Sequence, residues 1–240
     1  MLASLAALAL AVTPFVDVES GVAFSGYNDV RVPNAGGPEE GTLFSLHDLG
    51  ITPAPTFRVR LGAWFGRHGV YATAAPLRLQ AKATLDETIR FAGGTYDAGT
   101  TVRGLYRFDS YRLTYRYGLV RGARWEVDLG LTAFLRDAAI SLDGLPGGVR
   151  DSTDTGFVPL LSFRVAWWPS ARWGLLLDGD AIAGAGPGRA EDVLVAVLAR
   201  VRDGLVARLG WRVVEGGADV DQVYNFALVH QVAVGLEVSF

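Results

Sequence analysis

The sequence contains no cysteine, so disulfides and thiolate-held metals are excluded. Methionine appears once and histidine three times, at His47, His68 and His230. Imidazole chemistry therefore has three places to reside. A dominant charge is missing too: 22 Lys and Arg against 25 Asp and Glu leave a formal net charge of −3, which gives no electrostatic footprint for nucleic acid. Beyond the first dozen residues no uninterrupted apolar run approaches the roughly 20 residues of a membrane helix.

Glycine and aromatics are plentiful, with 30 Gly, 12 Phe, 8 Tyr and 6 Trp, a balance that favours strands and turns. The opening Met1–Ala11 is rich in Leu and Ala and ends in Ala9-Leu10-Ala11. This small-x-small site predicts a signal peptide over 1–11, cut after Ala11 although no Lys or Arg precedes the apolar run. Residues 12–240 are then one domain.

From Tyr224 onward the even positions read Tyr224, Phe226, Leu228, His230, Val232, Val234, Leu236, Val238, Phe240. The odd positions read Asn225, Ala227, Val229, Gln231, Ala233, Gly235, Glu237, Ser239. Successive side chains on a strand point to opposite faces, so one face is almost wholly apolar and the other small or polar. Similar alternation recurs upstream. Val16, Val18, Val22 and Phe24 oppose Asp17 and Glu19; Phe57, Val59, Leu61 and Phe65 oppose Arg58 and Arg60. Tyr71, Thr73, Ala75, Leu77 and Leu79 are set against Arg78, Gln80 and Lys82. Tyr111 to Leu119 oppose Arg112 and Arg116, and Trp125 to Leu135 oppose Glu126, Asp128, Thr132 and Arg136. Three strands with Arg164, with Asp178 and Asp180, and with Leu194 and Arg200 on their polar faces follow, then one with Arg208 and Arg212.

About ten strands result, joined alternately by tight turns and mostly long polar connections. Tight turns are expected near Arg67-His68-Gly69, Arg121-Gly122-Ala123, Pro169-Ser170-Ala171 and Asp203-Gly204, the last a strong hairpin signal. Long connections are expected over 28–56, 86–104 and 143–156, with shorter ones at 186–191 and 215–222. Aromatics gather at two levels, Trp64, Phe65, Tyr71, Tyr117, Trp125, Trp167, Trp168, Trp173 and Phe240 below, and Phe57, Phe108, Tyr111, Phe157, Tyr224 and Phe226 above. Aliphatic residues separate the two belts, as at the two interfaces of a membrane. Pro76 and Pro159 each remove a ladder donor. Pro159 falls near a rim, whereas Pro76 lies deeper and predicts a bulge or ladder break.

A chain ending on Phe240 after such an alternating run resembles the closing strand of Gram-negative outer-membrane β-barrels. Tyr106 to Tyr117, Gly156 to Leu161 and Glu215 to Asp219 likewise resemble stretches of small barrels of that class. The resemblance implies an all-β, closed antiparallel up-and-down transmembrane barrel of about ten strands, with eight as the alternative count. It implies an outer-membrane location, contact with outer-membrane lipid and lipopolysaccharide, and reading of the terminal strand and Phe240 by the barrel-insertion machinery. It carries no activity, because fold does not supply function.

Alternation places Arg58, Arg60, Arg78, Lys82, Arg112, Arg116, Arg136, Arg164, Arg208 and Arg212 inside, with Asp17, Glu19, Glu126, Asp128, Asp178, Asp180 and Glu237. A barrel this narrow should be filled by such side chains. Known barrel-enzyme motifs are incomplete among the residues present. The lipid A deacylases pair His-x-Ser with a distant carboxylate, but Val232 stands at that spacing from His230. The omptin proteases pair two Asp with an Asp-His pair; Asp178-Gly179-Asp180 supplies the first and no Asp-x-His exists. His47 has Ser45 two residues before it in a loop, a two-residue coincidence. Acidic loop residues Glu215, Asp219, Asp221, Asp143, Asp151 and Asp154 lack calcium-loop spacing. No catalytic, metal or cofactor site is therefore expected. The expected role is structural or interactive, with a charge-filled lumen and loops 28–56 and 86–104 displayed outside. The alternatives are a small passive channel, a lipid-modifying enzyme and a soluble lipocalin-like binding barrel.

Overall fold

A computed structural model describes residues 12–145, 148–182 and 188–240, so the expected signal segment 1–11 lies outside the described residues. The strands are β1 (Val12–Arg31), β2 (Phe44–Ser45), β3 (Ala54–Phe65), β4 (His68–Ala75), β5 (Arg78–Thr84), β6 (Ile89–Phe91) and β7 (Gly94–Tyr96). They continue as β8 (Thr101–Arg121), β9 (Trp125–Leu145), β10 (Gly148–Trp167), β11 (Trp173–Ile182), β12 (Gly188–Arg202), β13 (Leu205–Val220) and β14 (Val223–Ser239). Consecutive staves pair antiparallel, and β14 closes on β1 from Phe15↔Ser239 to Arg31↔Tyr224. β4 and β5 are two halves of one stave against β8. The wall thus has ten staves, and the eight-strand alternative is set aside. Closure of β14 on β1 removes the two terminal edges of the sheet, which is what lets the ladder cross lipid without presenting their unpaired backbone groups there.

The outer surface carries the apolar faces. Leu113, Leu131 and Leu161 are 58%, 61% and 64% exposed, values that water would penalise over so large a patch. Phe65, Tyr117, Trp125, Trp167, Trp173 and Phe240 ring one end, with Trp125 and Trp167 stacked at 5.8 Å. Phe57, Tyr111 and Phe157 stand at the other. On β9 the apolar band runs from Trp125 to Leu135 before Asp137 appears on the same face. Ten steps of about 3.4 Å, tilted about 40°, rise about 26 Å, the height of a barrel's apolar band.

Three expectations need correction. First, the third stave faces the other way: Tyr71, Thr73, Leu77 and Leu79 are buried, while Arg78 and Lys82 point outward. The turn contains two residues, Gly66 and Arg67, with Gly66 at φ +63, and Phe65 pairs with His68. Directly paired residues share a face, so moving the turn by one residue flips everything after it. Second, 143–156 and 215–222 are mostly tall strand rather than loop, as β9, β10 and β13 extend well above the apolar band. Water lies on the outer side there, so the apolar alternation that marks a strand fades although pairing continues. Third, Trp64, Trp168 and Phe108 turn inward rather than joining the belts: Trp64 lies under Arg121, Trp168 is buried, and Phe108 stacks on inward Tyr106.

Pro76 interrupts the ladder between Ala75↔Ser110 and Arg78↔Arg107 without a change of register. The break is local, and Phe108 N still donates to Leu77 O at 2.9 Å. Pro159 pairs opposite Ala133 on β9, just above the point where β10 stops pairing with β11.

The orientation makes a measurable difference. Leu131→Arg places a charge near the middle of the apolar band and is expected to lower unfolding free energy by about 2–4 kcal/mol. Val149→Arg, outward but far above the band, is expected to cost under about 1 kcal/mol. Urea unfolding of both variants in lipid vesicles checks this; equal losses would reject the placement of the band.

Candidate functional site: a charge network across the lumen

The inner faces of nine staves bring long polar side chains together at mid-height. Asp17 and Glu19 come from β1, Arg58 and Arg60 from β3, Arg112 and Arg116 from β8. Asp178 and Asp180 come from β11, Asp192 from β12, and Arg208 and Arg212 from β13. Ser162 on β10 and Thr132 on β9 fill between them, while Tyr71 and Thr73 complete the ring from β4. Arg116 is 1% and Arg212 2% exposed. An unpaired ion so deep would cost several kcal/mol, so each must find a partner.

Every one does. Arg208 forks onto Asp17 at 2.6 and 2.9 Å and reaches Glu19 at 2.9 Å. Arg212 donates to Glu19 through Nε at 2.8 Å and also pairs with Asp192. Asp192 accepts from Arg58 at 2.6 Å and from Arg112 at 2.8 Å. Arg112 bridges onward to Asp180 at 2.8 Å, and Asp178 receives Arg116 at 2.7 Å and Arg60 at 3.1 Å. Neutral hydroxyls complete the acceptors: Thr132 and Ser162 donate to Asp180 at 2.8 and 2.6 Å, and Arg116 Nε donates to Ser162 at 2.9 Å. The planar fork of arginine suits this, since one side chain can serve two carboxylates from different staves.

Two close packings support the network. Gly62 pairs directly with Tyr71, and a Cβ at Gly62 would come within 2.3 Å of the tyrosine Cβ. The missing side chain lets Tyr71 lie inward beneath Arg60 and Arg116, at 4.9 and 5.5 Å from the ring centre. Phe134 takes Arg112 over its face in the same way at 4.8 Å. Such contacts retain favourable electrostatics for a cation that has lost its water.

Below the network the lumen turns apolar: Ala166, Leu176, Leu194, Leu198 and Ala233 pack with Trp168. Trp168 donates to Glu126 at 3.1 Å and carries Arg200 over its ring at 3.6 Å. Arg164 reaches Glu126 at 2.8 Å, and Arg121 pairs with Asp128. Glu237 borders a void of about 30 Å³ that it shares with Arg60, Arg164 and Arg208. A second void, beside Arg58 and Arg112, measures about 20 Å³. Such spaces hold one or a few waters.

Above the network the long connections fold back over one side of the mouth. Phe44, Leu46, Leu85, Ile89, Phe91 and Tyr96 join inward Val30, Leu79, Val102, Tyr106, Ile140 and Leu142 in one apolar cluster. Tyr96 donates to the Leu142 carbonyl at 2.9 Å, and burial pushes its phenol up, which keeps the donor protonated. The expected freely displayed loops 28–56 and 86–104 are therefore partly a cap.

The structure brings Arg58, Arg60, Arg112, Arg116, Asp178, Asp180, Arg208 and Arg212 into the central network, with Glu126, Asp128 and Arg164 below it. Arg136 sits above it beside Asp154. Arg78 and Lys82 do not belong. Arg78 forks outward onto Asp109, which Arg107 also approaches, at 3.7 Å. Asp192 is absent from the expected inward set because it stands at the strand boundary, directly after the connection expected at 186–191; its parity with Leu194 is the available signal. His47 is exposed, and the Ser45 hydroxyl is directed to the Asn28 carbonyl at 3.4 Å. His230 accepts from Trp211 Nε1 at 3.3 Å on the outer face, and His68 bonds the Tyr115 hydroxyl at 2.8 Å. Among the described residues no group of three or more His, Cys, Asp or Glu is arranged to hold a metal ion.

The sequence matches no protein-family model and no curated relative. Solved structures are similar across nearly the whole chain. The outer membrane protease OmpT of Escherichia coli aligns with TM-score 0.53 at 11% identity, over 95% of this chain and 97% of that one. Ail, the attachment invasion locus protein of Yersinia pestis, solved with the heparin analogue sucrose octasulfate, aligns at 0.41 and 12% identity over 93% and 99%. Neisserial surface protein A aligns at 0.36 and 14% over 95% and 97%. At these identities the likeness concerns the fold.

Asp192 is the acid on which three arginines converge. Asp192→Asn leaves Arg58, Arg112 and Arg212 facing one another in a buried site and is expected to lower unfolding free energy by about 3–5 kcal/mol. Glu40→Gln, which removes the half-exposed partner of Arg31, should cost under about 1 kcal/mol. Denaturant titration of the refolded protein compares them, and a small loss at Asp192 would count against the network as a shared structure.

Proposed function

We propose that this chain, an integral outer-membrane β-barrel of a Gram-negative bacterium, is a non-conducting barrel with a structural or interaction role. The observation that carries this reading is the sealed mid-section. Its charges are paired across the lumen, and the voids bordering them are about 20 and 30 Å³. A conducting pore needs a hydrated path with charges free to exchange for ion hydration. Here the fixed charges have been spent on each other. The tall staves and the folded-back cap then give the barrel a rigid outer end, suited to contact with lipopolysaccharide or another surface.

A lipid-modifying role lacks support from the histidines. A nucleophile and its base must lie within hydrogen-bond reach, whereas His47, His68 and His230 are held in separate places and Ser45 bonds backbone. His47→Ala and His230→Ala are expected to leave lipid A and phospholipid composition unchanged in cells overproducing the protein.

Planar-bilayer recording tests the main reading. The wild type is expected to be silent. Arg112→Ala combined with Arg116→Ala removes two central guanidinia and leaves Asp178, Asp180 and Asp192 with fewer partners, so any conductance that appears should favour cations. Steady porin-like channels from the wild type would defeat the proposal.

A further inference from the structure

Among the described residues, the wall is incomplete on one side above the charge network. β10 pairs with β11 from Leu161↔Ala181 down to Trp167↔Leu175. Above Leu161, among the described residues, β10 has β9 as its one neighbour, over the thirteen positions from Gly148 to Leu160 that β11 and β12 do not follow. A cavity of about 360 Å³ occupies this notch. Its lining includes inward Val158 and Leu160 and also outward Phe157 and Pro159. A cavity that touches both faces of one strand passes around that strand's edge. Phe157 belongs to the upper aromatic belt, so the notch opens at the level of the outer interface.

The interior of the cavity is mostly apolar. Phe108 and Phe134 form the back, Ile182 and Val214 the far side, and Arg112 the floor, where it is already held by Asp180 and Asp192. Arg136 stands in the wall with a different balance. It pairs with the half-exposed Asp154, and its Nε is buried without a partner. A pair open to solvent contributes little, whereas an orphaned buried donor is costly until something accepts from it.

We propose that the notch is a binding site for a single-chain anionic amphiphile, entering sideways from the outer leaflet. The hydrocarbon chain lies along Phe108, Phe134, Val158 and Leu160, and the carboxylate or phosphate end accepts from Arg136. The volume is within the range of small-molecule sites, and a mostly apolar pocket with a few placed polar groups is their usual composition; besides Arg136 and the floor, the lining carries Glu191 and Arg189, the latter paired with Glu215. The site lies above the sealed section, so it does not depend on whether the lumen conducts.

The test uses the full chain in phosphatidylcholine nanodiscs, with radiolabelled dodecanoate as the probe and uncharged dodecanol as its partner. The wild type should bind dodecanoate saturably. Arg136→Gln should weaken dodecanoate by about tenfold, the loss of one charge-assisted hydrogen bond, and leave dodecanol unchanged. Val158→Trp, which fills the cavity, should abolish binding of both; Ala190→Phe does the same from the opposite wall should the first variant fail to show heat-modifiable migration. Displacement of dodecanoate by a dodecanoyl lysophosphatidate assigns the ligand to lipid, and failure to displace assigns it to the free acid. Absence of saturable dodecanoate binding in the wild type overturns the proposal. Binding that survives both filling variants, or that falls equally for dodecanoate and dodecanol in Arg136→Gln, overturns it as well.

Discussion

A ten-stave wall encloses too little space to hydrate the charges that its inner faces carry. Six guanidinia, of Arg58, Arg60, Arg112, Arg116, Arg208 and Arg212, meet five carboxylates, of Asp17, Glu19, Asp178, Asp180 and Asp192. None can keep a water shell, so each must be satisfied by neighbours on other staves. That requirement couples staves far apart in sequence. It also binds register to chemistry. A one-residue slip of β8 would send Arg112 and Arg116 into lipid and bring Tyr111 and Leu113 against the carboxylates. The network need not add net stability over an apolar filling; it makes the correct register the one in which every ion is paired.

The layers above and below follow from what the network leaves undone. Below it the staves end in short turns, and Trp168 with Leu176, Leu194 and Leu198 fills the remaining space without needing partners beyond Glu126. Above it the staves continue past the apolar band, and there is no lipid to require an apolar outer face. Arg78, Arg107, Asp109 and Asp137 can then stand outside, paired with one another. Inside, the mouth would expose Leu79, Val102 and Leu142 to water, and the returning connections cover them with Phe44, Phe91 and Tyr96.

The membrane band was legible because lipid outside and charge inside give a strict period of two. The terminal stave, the Arg112–Arg116 stave and the Asp178–Asp180 stave all read correctly for that reason. The third stave did not, because its phase hangs on whether the turn takes Gly66-Arg67 or the next residues. Tyr71 is amphipathic enough to suit either face, and Thr73 and Ala75 give no vote. Asp192 was lost at a strand boundary, where periodicity has too few residues to speak. The cap was illegible in principle: Phe44 and Phe91 sit in strands of two and three residues within polar segments, and what buries them is distant in sequence.

The polar run from Arg150 to Gly156 shows the same limits from the other direction. Read alone, Arg-Asp-Ser-Thr-Asp-Thr-Gly is a loop. It forms strand because β9 offers a complete ladder partner, Arg150↔Leu142 through Gly156↔Arg136. Its composition reflects the opposite side, where β10 rises above β11 and presents an edge. An exposed edge invites pairing with another chain, and charged residues with a proline blunt it. Asp151, Asp154 and Pro159 fall on that edge. The residues that disguised the strand in the sequence are those that let it stand unpaired, and the gap they protect is the mouth of the cavity backed by Phe108 and Phe134.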